Sequence, residues 1–137
     1  MRFDFTVPGE PVAKGRPRFR RSGKTYTPGR TILFENLVRL AFDRSGGVMA
    51  AQGLPVRITI TAYFQIPKSA SRIRHDMMLK GLLRPKKKPD ADNVLKAVCD
   101  ALNGVAYYDD AAIVDARVMK YWSDKPRTEI AIETIDG

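Results

Sequence analysis

Asp90 and Asp92 stand one residue apart, Lys96 follows four residues after Asp92, Asp100 four residues later, and the pair Asp109-Asp110 comes next. In an extended segment, side chains at i and i+2 project to the same side, so Asp90 and Asp92 would grip a single cation while Ala91 points away. An oxygen-only site with water in the remaining positions suits Mg²⁺, with Mn²⁺ as a substitute. One His (His75) and one Cys (Cys99) cannot supply the nitrogen and sulfur ligands that select zinc. A hard cation held in this way activates water and stabilises charge on the leaving oxygen during phosphodiester hydrolysis. Lys96, one helical turn past Asp92, would bring an ammonium to the negative charge developing on phosphorus, or orient the attacking water. Paired aspartates also serve as helix caps or as plain surface charge, and that reading stands beside the chemical one.

The charge around these residues favours a polyanionic substrate. The 137 residues contain 24 Lys plus Arg and 15 Asp plus Glu, for a net charge of +9. Residues 1–45 hold ten basic and four acidic side chains, residues 46–88 nine and one, and residues 89–137 five and ten. Two thirds of the chain is therefore a cation, which gains affinity for nucleic-acid phosphates by displacing counterions. Carboxylates embedded in such a surface repel phosphate unless a divalent cation lies between them. Without that cation, the composition equally describes a non-catalytic nucleic-acid-binding protein. The length implies one domain, residues 1–137, and 44% hydrophobic residues suffice for a modest core. A single Cys excludes an internal disulfide, and the absence of a long apolar run implies a cytoplasmic protein with no membrane partner.

The positioning elements follow from periodicity. Phe3, Phe5 and Val7 alternate in a strand from Arg2 to Val7. Pro8 to Arg30 is too rich in Gly, Pro and basic residues for a regular element and reads as a basic loop or loose hairpin. Ile32, Leu33, Leu37, Leu40 and Ala41 mark the apolar side of a helix that stops at Gly46-Gly47 or Gly53. Val56, Ile58, Ile60, Ala62, Phe64 and Ile66 form one face of a long strand, and a short helix is expected from Ser71 to Lys80. A further helix begins near Asp92 and ends before Gly104, with Val94, Leu95, Val98, Ala101 and Leu102 on its apolar side and Asp92, Lys96 and Asp100 along one edge. Strands Ile113–Trp122 and Thr128–Ile135, joined at Asp124-Lys125-Pro126, would pair as a hairpin. In the first of these, Val114, Ala116, Val118 and Trp122 alternate with Asp115, Arg117 and Tyr121. The sum is an α+β domain: a mixed or antiparallel sheet of four or five strands with helices on one side.

Pro89-Asp90-Ala91-Asp92-Asn93-Val94-Leu95-Lys96, continued by Asp100, by Tyr108-Asp109-Asp110 and by Ile113-Val114-Asp115, resembles the signature of the RusA family of Holliday junction resolvases. The resemblance implies a homodimeric, Mg²⁺-dependent endonuclease of DNA recombination and repair, often carried by phages and prophages, that nicks opposing strands of a four-way DNA junction and needs no organic cofactor. It implies Asp90, Asp92 and Asp110 as metal-ligating catalytic carboxylates and Lys96 as the catalytic lysine. The long basic loop from Lys14 to Arg30 and the segment from Lys68 to Lys88 depart from the family pattern. A preference for flaps or other branched DNA is the variant reading that these segments leave open.

The neighbouring residues take supporting roles. Asp100 either pairs with Lys96 across one helical turn or approaches the metal. Asp109 and Asp110, adjacent in a strand, would face opposite ways, so only one joins the metal, and the resemblance favours Asp110. Asn93 reads as a helix cap beside the site, and Asp115 either supports the site or is a solvent-facing strand residue. Cys99 reads as packing, and His75 as exposed or phosphate-facing. Lys86, Lys87 and Lys88 read as phosphate contacts, with a merely solvated run as the alternative. Lys14, Arg16, Arg18, Phe19 and Arg20 would clamp the DNA backbone, with Phe19 either wedged into an opened junction or docked on its own core.

Overall fold

The computed structural model describes residues 1–12, 18–19, 25–26 and 29–135, with the backbone alone at 18, 19, 25 and 26. The alternating N-terminal residues form β1 (Arg2–Pro8), in which Phe5 and Val7 are buried. Within the basic segment, β2 (Arg18–Phe19) and β3 (Thr25–Tyr26) make a small antiparallel pair, the hairpin form of the expected loop.

Helix α1 (Gly29–Arg44) buries Thr31, Phe34, Val38 and Phe42. This corrects the expected apolar side: Ile32, Leu33, Leu37 and Leu40 are exposed, Leu33 to 65%. The helix carries two apolar stripes, and the aromatic one wins because Phe42 meets Phe3 and Phe5 edge-on at centroid distances of 5.4 and 5.5 Å. The stop is at Gly46-Gly47, whose N–H groups donate to Asp43 O and Phe42 O. Gly46 has φ +81°, and a Cβ on Gly47 would lie 2.6 Å from the Phe42 ring.

Strand β4 (Val56–Gln65) buries the whole expected face from Val56 to Phe64, with Ile66 just beyond. It is followed by α2 (Arg72–Leu79), capped by the Ser71 hydroxyl, which accepts the Arg74 N–H. Then come α3 (Ala91–Leu102), a 3₁₀ turn (Asp110–Ala112), β5 (Ile113–Ser123) and β6 (Arg127–Thr134).

The main sheet is four-stranded and mixed, in the order β1-β6-β4-β5. Strand β4 pairs parallel to β5 and antiparallel to β6, and β6 pairs antiparallel to β1. The expected β5–β6 hairpin is therefore wrong: β4 lies between them, and the turn at Asp124–Pro126 crosses its end. The crossover from β4 through two helices permits a parallel β5 on one side of the most apolar strand, which leaves the other side to β6. Arg127 braces the turn by donating to Lys125 O at 2.8 Å and Ser123 Oγ at 3.2 Å. Helices α1 and α3 pack together over the core face of the sheet, with Val38, Ile58, Ile60, Val94, Val98, Leu102, Ile130 and Ile132 essentially inaccessible.

Candidate active site

Helix α3 starts earlier than the spacing suggested. Asp90 is its N-cap residue, extended at φ −69° and ψ 151°, and its carbonyl accepts the N–H groups of Asn93 and Val94 at 3.1 Å each. The side chain of Asp90 makes no capping hydrogen bond. Asp92 already lies within the first turn, so the extended-segment argument that aligned Asp90 with Asp92 does not apply. Asn93 is inside the helix and is not its cap, because Asp90 occupies that place. Val94, Ala97, Val98, Ala101 and Leu102 face the core, which leaves Asp92, Lys96 and Asp100, at intervals of four, along the outer edge.

The chain returns to this edge through a short, well-tied loop. Gly104, at φ +74°, turns it, and its N–H donates to Tyr107 O at 2.9 Å. The buried Tyr107 hydroxyl donates to Cys99 O at 2.8 Å, back on α3. Asn103 Oδ1 accepts the N–H of Asp110 at 3.1 Å. Asp109 and Asp110 are thus not in a strand: Asp109 precedes a 3₁₀ turn that begins at Asp110, and β5 starts at Ile113. A bulge follows, since Val56 pairs with Ile113 but Arg57 with Asp115. Val114 is the extra residue and is 64% exposed, contrary to its expected inward place. The bulge also puts Ile113 and Ala116 on the same side, although three residues apart in a regular strand would face opposite ways.

Between α3 and the start of β5 lies a cavity of about 360 Å³ lined by Asp92, Leu95, Lys96, Cys99, Asp100, Asp110, Ile113 and Ala116. The tertiary structure thereby brings Asp110 to the helix edge that carries Asp92, Lys96 and Asp100. Lys96 Nζ is 3.5 Å from Asp100 Oδ1, the ion pair expected across one turn. Burial pushes the Cys99 thiol up to about 11, which suits packing rather than nucleophilic use. Of the lining residues, Leu95 and Ile113 are half-buried, and Asp92, Lys96 and Asp110 are exposed.

Other expected members stand elsewhere. Asp90 is exposed at the helix entrance and does not line the cavity, and neither does Asp109. Asp115 pairs with Arg57, at 2.8 Å, on the other face of the sheet. His75 Nε2 lies 2.9 Å from Asp124 Oδ1, which ties α2 to the β5–β6 turn. Lys86, Lys87 and Lys88 are exposed immediately before Pro89 and Asp90. Lys14, Arg16 and Arg20 lie outside the described residues, as do the side chains of Arg18 and Phe19 in β2.

Among the described residues, no three His, Cys, Asp or Glu side chains stand close enough to cage a metal ion. The donors at the cavity nevertheless fit Mg²⁺. It sheds water reluctantly and is commonly held by one or two carboxylates, with water and substrate phosphate oxygens filling the other positions. Asp92 and Asp110 supply such carboxylates, and no imidazole lines the cavity to favour a softer ion.

The family model of endodeoxyribonuclease RusA matches residues 8–133. The chain belongs to the RusA family. It is also 41% identical over 138 residues to a protein of Bacillus subtilis (strain 168) described as "Uncharacterized protein YqaN", covering 97% of this chain and 96% of that one. The RusA match runs from the last residue of β1 to the penultimate residue of β6 and so includes α3 and the acidic return. Among the described residues of this RusA family protein, no helix is long and apolar enough to cross a membrane.

Sequence reasoning missed the residues that brace this candidate site: Asn103 and Tyr107 in the return, Lys120 on the carbonyl that precedes Asp90, and Arg84 on Lys120 O. One signal was available. In the alternation Ala116, Val118, Trp122, position 120 belongs on the inward side and carries a lysine, a placement that calls for a partner.

Proposed function

We propose that this RusA family protein is an Mg²⁺-dependent endonuclease that resolves four-way DNA junctions by paired nicking. The observation that carries this reading is the cavity where Asp92 and Asp110, from separate stretches of chain, meet Lys96 within a strongly basic protein. Asp92 and Asp110 would hold Mg²⁺. The ion when bound supplies activation of water and neutralisation of charge on the leaving oxygen. The chain's own residues do the rest. Lys96 presents an ammonium on the cavity edge, where it stabilises negative charge accumulating on the phosphate. Asp100 holds that ammonium by the ion pair at 3.5 Å, which limits its rotamers. Lys86, Lys87 and Lys88 neutralise flanking phosphates and draw the backbone toward the acids, against their own repulsion of DNA.

A four-way junction presents two equivalent scissile phosphates, and a homodimer supplies two sites to meet them. The exposed stripe of Leu33, Leu37 and Leu40 on α1 supports self-association, since an apolar helix side of this kind is the usual material of a two-fold interface. Sedimentation should give a dimer, and Leu37→Glu a monomer.

The deciding experiment offers labelled four-way, flap and linear duplex DNA to the protein with Mg²⁺ or EDTA, beside Asp92→Asn. Symmetric nicks in the four-way junction, dependent on Mg²⁺ and absent in Asp92→Asn, are expected. Binding without cleavage would replace this reading with that of a nucleic-acid-binding protein. Preferential cutting of flaps would retain the chemistry and change the substrate.

A further inference from the structure

Between Gly81 and Pro89 the chain has neither helix nor strand, yet it must deliver Asp90 to the start of α3. Its placement depends on individual ties to the edge strand β5. Arg84 stacks on the Tyr121 ring, 3.7 Å from its centre, and donates to Lys120 O. Lys87 Nζ sits 5.3 Å from the centre of the Trp122 ring. The tie nearest the site is Lys120, whose ammonium donates to Lys87 O at 2.7 Å and Pro89 O at 2.8 Å.

This ammonium is partly buried where it stands. It lies 5.6 Å from the centre of the Phe64 ring, on the strand side that Val118 and Trp122 pack against the core. Burial lowers its pKa from the ordinary lysine value, Lys87 adds repulsion, and Asp90 acts in the opposite direction. Packing alone calls for no charge at this inward strand position. The two carbonyl bonds of Lys120 account for the lysine. The peptide group is planar, so fixing Pro89 O also fixes the N and Cα of Asp90. The first turn of α3, with Asp92, follows from there.

We propose that Lys120 is a positioning residue for the start of α3, acting on Asp92 through the carbonyls of Lys87 and Pro89. The proposal rests on the reading of Asp92 as a Mg²⁺ ligand. Its test therefore measures metal binding by the DNA-free protein and leaves cleavage aside. Mn²⁺ titration of Lys120→Gln, followed by calorimetry or electron paramagnetic resonance, is expected to show binding weakened about tenfold, the lower end of the range for residues that orient metal ligands. Amide hydrogen exchange over residues 86–93 should quicken in the same variant, and Lys120→Arg, which keeps a charged donor, should recover most of the affinity. Unchanged Mn²⁺ affinity in a folded Lys120→Gln protein would overturn the proposal even where exchange quickens.

If Lys120→Gln does not fold, nuclear magnetic resonance of the unaltered protein decides. Mn²⁺ should broaden the amides of residues 90–93 together with the Lys120 ammonium signal. Binding that leaves them sharp overturns the proposal. Absence of Mn²⁺ binding by the unaltered protein at millimolar metal would overturn both this inference and the nuclease reading. Metal binding without cleavage of any DNA would overturn the nuclease reading alone.

Discussion

Asn103, the residue that closes α3, accepts the backbone N–H of Asp110 at 3.1 Å. One side chain thereby sets where the acidic return begins relative to the helix edge carrying Asp92, Lys96 and Asp100. Asn103→Ala should release Asp110 at a cost of about 1 kcal/mol in stability, the net worth of one such hydrogen bond. A rate of junction cleavage reduced far more than this small change in melting temperature explains is the expected signature. Equal effects on both would reduce Asn103 to a simple turn residue.

Asp92→Asn and Asp110→Asn should each lower the single-turnover cleavage rate at least about a hundredfold, the scale seen when one charge-organising group of an active site is removed. Junction binding should persist in a mobility-shift assay. Asp115→Asn serves as the comparison, because Asp115 is committed to Arg57 on the opposite face of the sheet. It should cleave at close to the original rate.

Lys96 and Asp100 form a pair with unequal roles. Lys96→Met should reduce kcat about a hundredfold with little change in KM. Asp100→Asn frees the lysine without removing it and should cost much less. If Asp100→Asn proves the more damaging of the two, Asp100 contacts the metal rather than steadying the lysine.

The exposed run Lys86-Lys87-Lys88 should show itself in salt dependence. Replacing all three by Ala should weaken junction binding and flatten the plot of log K against log salt by about 0.9 for each phosphate that the protein no longer neutralises. An unaltered slope would leave these lysines as solvated charge.

The Cys99 thiol is half-buried and raised to about 11 from a reference of 9.0 by desolvation. A folded-state pKa above the unfolded value contributes stability that is fully present below pH 9 and disappears as pH climbs through about 11. Denaturant melts of the original protein should therefore lose stability across that window faster than those of Cys99→Ala. At neutral pH the folded protein should react slowly with iodoacetamide, and rapid alkylation would contradict the burial.

The amino-acid sequence by itself determined the local elements and which residue types share an edge. Strict alternation from Val56 to Ile66 specified β4 and its buried face, and intervals of four from Asp92 to Asp100 aligned three charges on α3, because both patterns depend only on backbone period. Local period could not choose between two apolar stripes on α1. That choice fell to Phe42, which needed Phe3 and Phe5 from a distant strand. Nor could a short turn reveal that β4 separates β5 from β6, since pairing partners are set by how apolar faces stack across the whole domain. The candidate site divides in the same way. Its residue types were legible in one dimension, whereas the meeting of Asp110 with Asp92 required the Asn103 tie and the bulge at Val114, and Asp90 was set at the helix entrance, outside the cavity. Charges far apart in sequence are brought together by packing and hydrogen bonds that no local spacing encodes.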